Sequence, residues 1–495
     1  METRPKRIRG NRSLSAVSSR EFDVLRIAES GLSVAICLAV LAFGGAAEFF
    51  LVPQSIVLGI GALVLVARPR FPHNLTRVPF VAPLVLVALV LFQLLPLPAS
   101  LAQLLGTQRG DPPGRYFTLS IAPYQTASHL LLLITYFTAF FLVLEIARDP
   151  YARRRIALVL IGLGTFEALY GLLQYLAGWQ HVFWYAKKYY LDDATGTYIN
   201  RNHFAGFLEM VLPLAIAMAL VKVRRLARAD THQGPRVRGI FASAELTLAV
   251  LWLFLAGLIF TAILFSRSRM GIVSAVGSLI AVLALARSSH LPARTRILTG
   301  GLLLFGVAAL FLWIGNGALL TRFESVGQEY GQTGQNRVSI WRDTLKLIYR
   351  HPLAGSGLGT FAVAYPSVQT AFLNLLVDHA HCDYLEMATE LGLPGAMLLF
   401  GSLFWVLARA VRRYPQLSDR SASAICLGCA GGIAAILLHS FTDFNLHIPA
   451  NALVFSTLAA LAWSAAQGQQ VVNRRASFER RERVKRSPGV PSLSV

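Results

Sequence analysis

Residues 378 to 386, Asp-His-Ala-His-Cys-Asp-Tyr-Leu-Glu, place His379 and His381 beside Asp378, Asp383 and Glu386. An imidazole titrates near pH ~6.5 and a neighbouring carboxylate can orient its ring, so the cluster has the makings of acid/base chemistry. A solvated polar loop is the bland alternative. A metal site is the third reading, and the spacing argues against it. Histidines at i and i+2 share a side only on extended backbone, no third ligand stands at a fitting distance in the sequence, and a helical His-Glu-x-x-His motif is absent. No metal and no cofactor are expected. A second set of residues suits a different task. Arg201, Arg267 and Arg269 stand at the edges of apolar runs, where an arginine is costly without a partner, and the partner they suggest is an anion at that surface.

The elements that must position these groups are membrane helices. The chain has 495 residues, 55% hydrophobic and 14% charged, with a mean hydropathy of +0.54. Soluble domains carry about 25% charged residues. Apolar runs long enough to cross about 30 Å of hydrocarbon fall at 31–49, 51–67, 79–97, 125–147, 156–176, 203–221, 245–265, 270–286, 297–316, 392–408, 422–441 and 449–466. The expected fold is therefore an all-α polytopic membrane protein with about 12 transmembrane helices. Its parts are a basic N-terminal tail (1–30), nine helices (31–316), a long loop (317–391), three helices (392–466) and a basic C-terminal tail (467–495).

Charge sets the orientation. Of 46 Lys and Arg, 34 lie in the two tails and alternate loops, which places both termini in the cytoplasm by the positive-inside rule. The net charge of +21 is then a topology signal, and nucleic-acid binding is not expected. No cleavable signal peptide is expected either, because a polar stretch of some 30 residues precedes the first apolar run. The outward-facing basic residues are the ones that topology does not require: Arg109, Arg115, Lys187, Lys188, Arg201, Arg267, Arg269, Arg322, Arg337, Arg342, Lys346 and Arg350.

The long outward loop is the only soluble segment large enough to carry a site. Within it, Val338, Trp341, Leu345 and Ile348 recur at helical spacing, which predicts either a helix lying on the membrane surface or one packed on its neighbours. The following Gly355, Gly357 and Gly359 predict a helix stop and a flexible hinge; the Rossmann and Walker spacings are absent. Cys426 and Cys429 form a Cys-x-x-Cys inside an apolar run, where close helix packing explains them better than redox or metal chemistry.

The segments Asn-Arg-Asn-His-Phe-Ala-Gly-Phe-Leu-Glu-Met (200–210), Ser-Arg-Ser-Arg (266–269), 337–361 and 379–395 occur in this order and topology, and together they resemble the bacterial O-antigen ligase and polymerase family. The family motif of His, then Asn, Ser or Gln, nine residues, and Gly-x-x-Gly falls on His381, Cys382, Gly392 and Gly395. Cys382 departs from it by lacking a carboxamide or hydroxyl. The outer turn 439–451 also resembles a family segment; if helix continued through it, His439, Asp443 and His447 would share one face.

The resemblance implies a GT-C-like glycosyltransferase that takes a glycan from a polyprenyl-diphosphate carrier at the outer face of the bacterial inner membrane, without nucleotide or metal. Guanidinium forks pair well with the leaving diphosphate, so Arg201 and Arg267 are the expected catalytic cations and Arg269 and Arg337 their helpers. His381 is the expected base, oriented by Asp383 or Asp378. Asn200, Asn202, His379 and Asp383 complete the expected diphosphate or acceptor site. The expected acceptor is a lipid A-core sugar hydroxyl, as for a ligase, or another lipid-linked glycan, as for a polymerase. A transporter of lipid-linked glycan is the alternative of a different class; no internal repeat supports it.

Overall fold

In the computed structural model, residues 11–67, 78–105, 116–232, 235–287, 326–370 and 376–467 are described. The helices are α1 (Asn11–Leu41), α2 (Ala47–Ala67), α3 (Val78–Leu94), α4 (Ala99–Leu104), α5 (Pro123–Ile146), α6 (Pro150–Ala177), α7 (Arg201–His232), α8 (Pro235–Phe265), α9 (Arg269–Arg287), α10 (Val326–Arg350), α11 (Phe361–Ala364), α12 (Asp383–Arg413), α13 (Arg420–His439) and α14 (Pro449–Ala466). Two minimal antiparallel strand pairs, Leu97–Pro98 with Tyr116–Phe117 and His181–Val182 with Tyr185–Ala186, are the only strands among the described residues. The protein is all-α. Ten of its described helices are long and apolar enough to cross a membrane, and α3 adds a shorter apolar stretch. The run expected at 297–316 lies outside the described residues.

Local chemistry sets several helix ends. Asp149 caps α6 through the Tyr151 amide at 3.0 Å and Pro150 opens its first turn, while Gly178 closes it in the left-handed conformation. Asp419 caps α13 through Ser421 in the same way. At the centre lies α7, wrapped by α6, α8, α9, α13 and α14. Its contact with α13 is close because glycine permits it: a Cβ on Gly432 would stand 2.3 Å from the Met210 carbonyl oxygen, and one on Gly428 would stand 2.5 Å from Leu214 Cα. Cys426 and Cys429 lie on this same buried helix as free thiols.

Three details depart from the sequence reading. The tenth predicted span begins nine residues early, at Asp383, and breaks at Gly392, whose φ is +70°. In α10 the packed face is Ile340, Thr344 and Leu347, set against Phe361, Tyr365, Val368 and Val377. Val338 and Leu345, on the face singled out by spacing, are exposed, while Trp341 of that face is half-buried and donates to the Ala380 carbonyl at 3.0 Å. Finally, 355–359 is fastened and is not a hinge. The Ser356 and Gly357 amides donate to the Thr389 and Glu390 carbonyls, and the Glu390 carboxylate accepts from Gly359 and Phe361 at 2.8 and 3.0 Å. The two backbones approach so closely that a Cβ on Gly355 would lie 2.2 Å from the Glu390 carbonyl oxygen.

Candidate active site

The arginine centre is built from the loop between α6 and α7 and the turn between α8 and α9. Arg201 opens α7 after Asn200, whose side chain accepts the Asn202 amide at 2.8 Å, so Asn200 serves as a helix cap. Arg201 Nη1 lies 2.7 Å from Asp193 Oδ2, and Arg267 Nη1 lies 3.6 Å from Asp193 Oδ1. Two guanidiniums thus face one buried carboxylate. Tyr190 sits under Arg201, and the Tyr175 ring under Arg267. The Lys187 ammonium donates to the Asp193 carbonyl at 2.9 Å. Burial pushes Lys187 down, and Asp193 and Asp192 pull it part of the way back. The loop itself hangs from Glu167 on α6, which is fully buried and accepts the Thr197 amide at 2.8 Å.

The histidine centre is built from the start of α12, the start of α7 and the turn between α13 and α14. His379 Nδ1 stands 2.6 Å from Glu386 Oε1, and the Ala380 amide donates to Glu386 Oε2 at 2.8 Å. His447 Nδ1 stands 2.8 Å from Asp383 Oδ1, and Ser440 donates to Asp383 Oδ2 at 2.7 Å. His439 pairs with Glu209 of α7 at 3.0 Å. His381 Nδ1 lies 3.8 Å from Asp443 Oδ1, beyond hydrogen-bond length, while Asn202 donates to Asp443 Oδ2 at 2.7 Å. The Phe444 ring is the common surface: His379 stacks on it at 4.0 Å, and His203 and His381 meet it edge-on.

Charge follows this geometry. Burial opposes the charged form of His379 and His447, yet Glu386 outweighs it for His379, and Glu386 with Asp383 carries His447 up to about 10. Burial likewise opposes the Asp443 carboxylate, but His381, His203, His439 and Arg337 hold it well below the usual carboxylate range. The two centres are neighbours, since Tyr190 feels the charges of Arg201, Asp443, Asp193 and Arg337 together. Asn202, next to Arg201, makes the direct link by donating to Asp443, and Arg337 reaches the same turn by donating to the Thr442 carbonyl at 2.9 Å. Arg267, His381 and Tyr190 all have left-handed backbone, with φ of 53°, 50° and 56°. For non-glycine residues that conformation costs about 1–3 kcal/mol and concentrates at functional sites.

The site residues read from the sequence therefore fall into groups. Arg201 and Arg267 converge, His379 and His381 share the Phe444 surface, Asn202 reaches Asp443, and Arg337 reaches the same turn. Arg269 begins α9 as an exposed side chain. Asp383 does not orient His381: it holds His447, and Asp443 is the acid that faces His381. Asp378 is exposed. His439, Asp443 and His447 do not share a helical face, because α13 stops at His439 and a turn sends the three to different partners. Cys382 is the N-cap of α12, with extended backbone and no side-chain cap bond. Asn or Ser there would supply a stronger acceptor than the thiol sulfur. The residues not assigned from sequence include Asp193, Tyr190, His203, Glu209 and Phe444.

Among the described residues, one set could take a metal ion. His379, Glu386 and His447 bring one ligand atom each within 4.8 Å of one another, with Asp383 behind His447, so the fold supplies the third ligand that spacing did not show. The 2.6 Å contact between His379 and Glu386 would have to open for an ion to enter.

Fold and site together define a polytopic, all-helical membrane protein with an arginine–carboxylate and a histidine–carboxylate centre side by side at one end of its helices. Residues 249–400 match the family described as O-antigen ligase. The matched segment includes Arg267, Arg269, Arg337, His379, His381 and Asp383; Arg201, Asp193, Asp443 and His447 lie outside it. Among curated proteins, no match to the chain is found.

Proposed function

We propose that the protein is an O-antigen ligase-like glycosyltransferase, moving a glycan from a polyprenyl-diphosphate carrier to an acceptor hydroxyl at the outer face of the bacterial inner membrane. The observation that carries the reading is the adjacency of the Arg201–Arg267 centre to the His381–Asp443 pair, through Asn202 next to Arg201 and through Tyr190. Attack at the anomeric carbon breaks the bond to the diphosphate oxygen and leaves negative charge there, which the two guanidiniums neutralise. His381 takes the proton of the attacking hydroxyl. A single displacement inverts the anomeric configuration, and in this scheme the chain's own cations take the role a metal would otherwise play. Asp443, kept anionic, stabilises the imidazolium that forms on His381. A lipid A-core sugar is the favoured acceptor; a second lipid-linked glycan would make the same centre a polymerase.

The test is glycan transfer by the purified protein in nanodiscs, from a polyprenyl-diphosphate-linked glycan, with and without EDTA. Transfer that persists in EDTA and is lost in Arg201→Ala supports the proposal. Loss on chelation, restored by a divalent ion, would move the chemistry to His379, Glu386 and His447. Movement of donor across the bilayer without transfer would favour the transporter.

A further inference from the structure

Asp193 is unusual among the acidic residues of this end of the molecule. Its side chain is only 4% exposed, and it lies between two arginines that are themselves partly open to the outside. Its hold on them is unequal. Oδ2 is 2.7 Å from Arg201, whereas Oδ1 has no hydrogen-bond partner and stands 3.6 Å from Arg267. The other partner of Arg267 is Tyr175, through a 3.4 Å contact from Nη2 to the hydroxyl and through the ring beneath the guanidinium.

The carboxylate is rigidly placed. The Asp193 amide donates to Tyr190, the Ala194 amide donates to the Phe265 carbonyl at 3.0 Å, and Thr197 ties the loop to Glu167. On the other side the Arg267 turn is braced by Ser266 and Ser268, whose hydroxyls receive the Ser268 and Gly271 amides. Both partners of the loose contact are thus fixed at the backbone, and the adjustable part is the Arg267 side chain. Arg201 and Arg267 face one buried carboxylate while Lys187 holds the backbone carbonyl of the same residue, and Asp192 is exposed at the rim, so cationic charge is left over for a second anion.

We propose that Asp193 is a positioning residue that stands in for one phosphate in the empty site, and that donor binding transfers Arg267 from Asp193 to the diphosphate while Arg201 keeps its bond to Asp193. The inference rests on the donor-site reading above and adds to it. Two guanidiniums with no anion between them would repel and splay; a carboxylate that grips one and touches the other holds both aimed at the same place. The same carboxylate competes with the incoming diphosphate and repels it, which limits ground-state affinity and eases departure of the product carrier. No bond to Asp193 forms or breaks in the reaction.

The experiment uses the full chain in nanodiscs with inorganic pyrophosphate as the probe and a polyprenyl-diphosphate-linked glycan as donor. Asp193→Asn keeps the shape and an acceptor oxygen but removes the charge. It is expected to bind pyrophosphate about 3- to 10-fold more tightly while kcat falls about 10-fold or more, a split that simple loss of structure would not produce. Weaker or unchanged pyrophosphate affinity in a folded Asp193→Asn protein overturns the inference. Arg201→Ala and Arg267→Ala separate this from the parent reading. If they weaken pyrophosphate binding and Asp193→Asn leaves it unchanged, only the Asp193 role fails; if neither arginine matters, the donor site itself is elsewhere. Should Asp193→Asn not fold, the structure of the unaltered protein with pyrophosphate decides. Arg267 on phosphate and off Asp193 is the expected result, and an intact Asp193–Arg267 pair with pyrophosphate bound refutes it.

Discussion

The arginine centre and the histidine centre sit side by side, yet they divide charge in opposite ways. In the first, two cations share one carboxylate; in the second, three histidines have a carboxylate each, as His379–Glu386, His447–Asp383 and His439–Glu209. Each centre nevertheless contains one tight and one loose contact to its key acid. Arg201 is 2.7 Å from Asp193 and Arg267 is 3.6 Å from it; Asn202 is 2.7 Å from Asp443 and His381 is 3.8 Å from it. The loose members, Arg267 and His381, are also those with left-handed backbone. A side chain whose partner is within reach but not bonded is free to engage a substrate, while the tight contacts keep the frame in place.

The strongest way to break this comparison is to remove the loose members. His381→Ala is expected to lower kcat by about 10²- to 10⁴-fold, the usual contribution of a positioned base. Arg267→Ala should cost about 10²- to 10³-fold, as for loss of one charge-stabilising donor. Kinetics of transfer at saturating donor checks both, and a mild effect of either would make the loose contacts incidental.

The tight, buried pairs should behave as structure. Glu386→Gln leaves His379 without its carboxylate and removes a second, longer contact from His447, and breaking a buried pair costs about 3–5 kcal/mol. A large fall in the thermal midpoint in detergent is the expected outcome, and unchanged stability would remove the distinction between frame and reacting groups.

A smaller effect comes through pH. His447 is raised to about 10, so its contribution to stability is complete below the unfolded value of about 6.5 and is lost as pH rises toward about 10. Asp443 is lowered, so its contribution is present above the unfolded value of about 3.9 and is lost as pH falls through its depressed titration. His447→Gln should therefore flatten the stability profile between about pH 6.5 and 10, which thermal melts across that window would show. The smallest expected change is a gain. Cys382→Asn should stabilise α12 by about 0.5–2 kcal/mol through a restored N-cap, raising the thermal midpoint without changing which donor is used.

Much of the architecture was legible from the chain because membrane helices announce themselves by length and hydropathy. Arg201, Arg267 and His381 drew attention in the sequence because a charge at a helix mouth or a histidine pair in an oily chain is costly and therefore conspicuous. The pairings were not legible. His447 and Asp383 are 64 positions apart, His439 and Glu209 are 230 apart, and Asn202 and Asp443 are 241 apart. Local periodicity carries no information over such separations, so Asp383 looked like the partner of its neighbour His381. Asp193 was hidden for another reason: in Asp-Asp-Ala-Thr-Gly it has the composition of an ordinary solvated turn, and only the fold shows it buried between two arginines. The glycine-rich turn misled in the opposite direction, since Gly355 and Gly392 serve close backbone approach and not mobility.

The division of labour between the two centres is tested most directly by measuring donor binding and glycan transfer on the same preparations of unaltered protein, His381→Ala and Arg201→Ala. The expected result is that His381→Ala binds the polyprenyl-diphosphate-linked glycan as the unaltered protein does but does not transfer it, while Arg201→Ala loses both. Donor binding lost in His381→Ala, or transfer retained in Arg201→Ala, would contradict a site in which arginines hold the diphosphate and the histidine activates the acceptor.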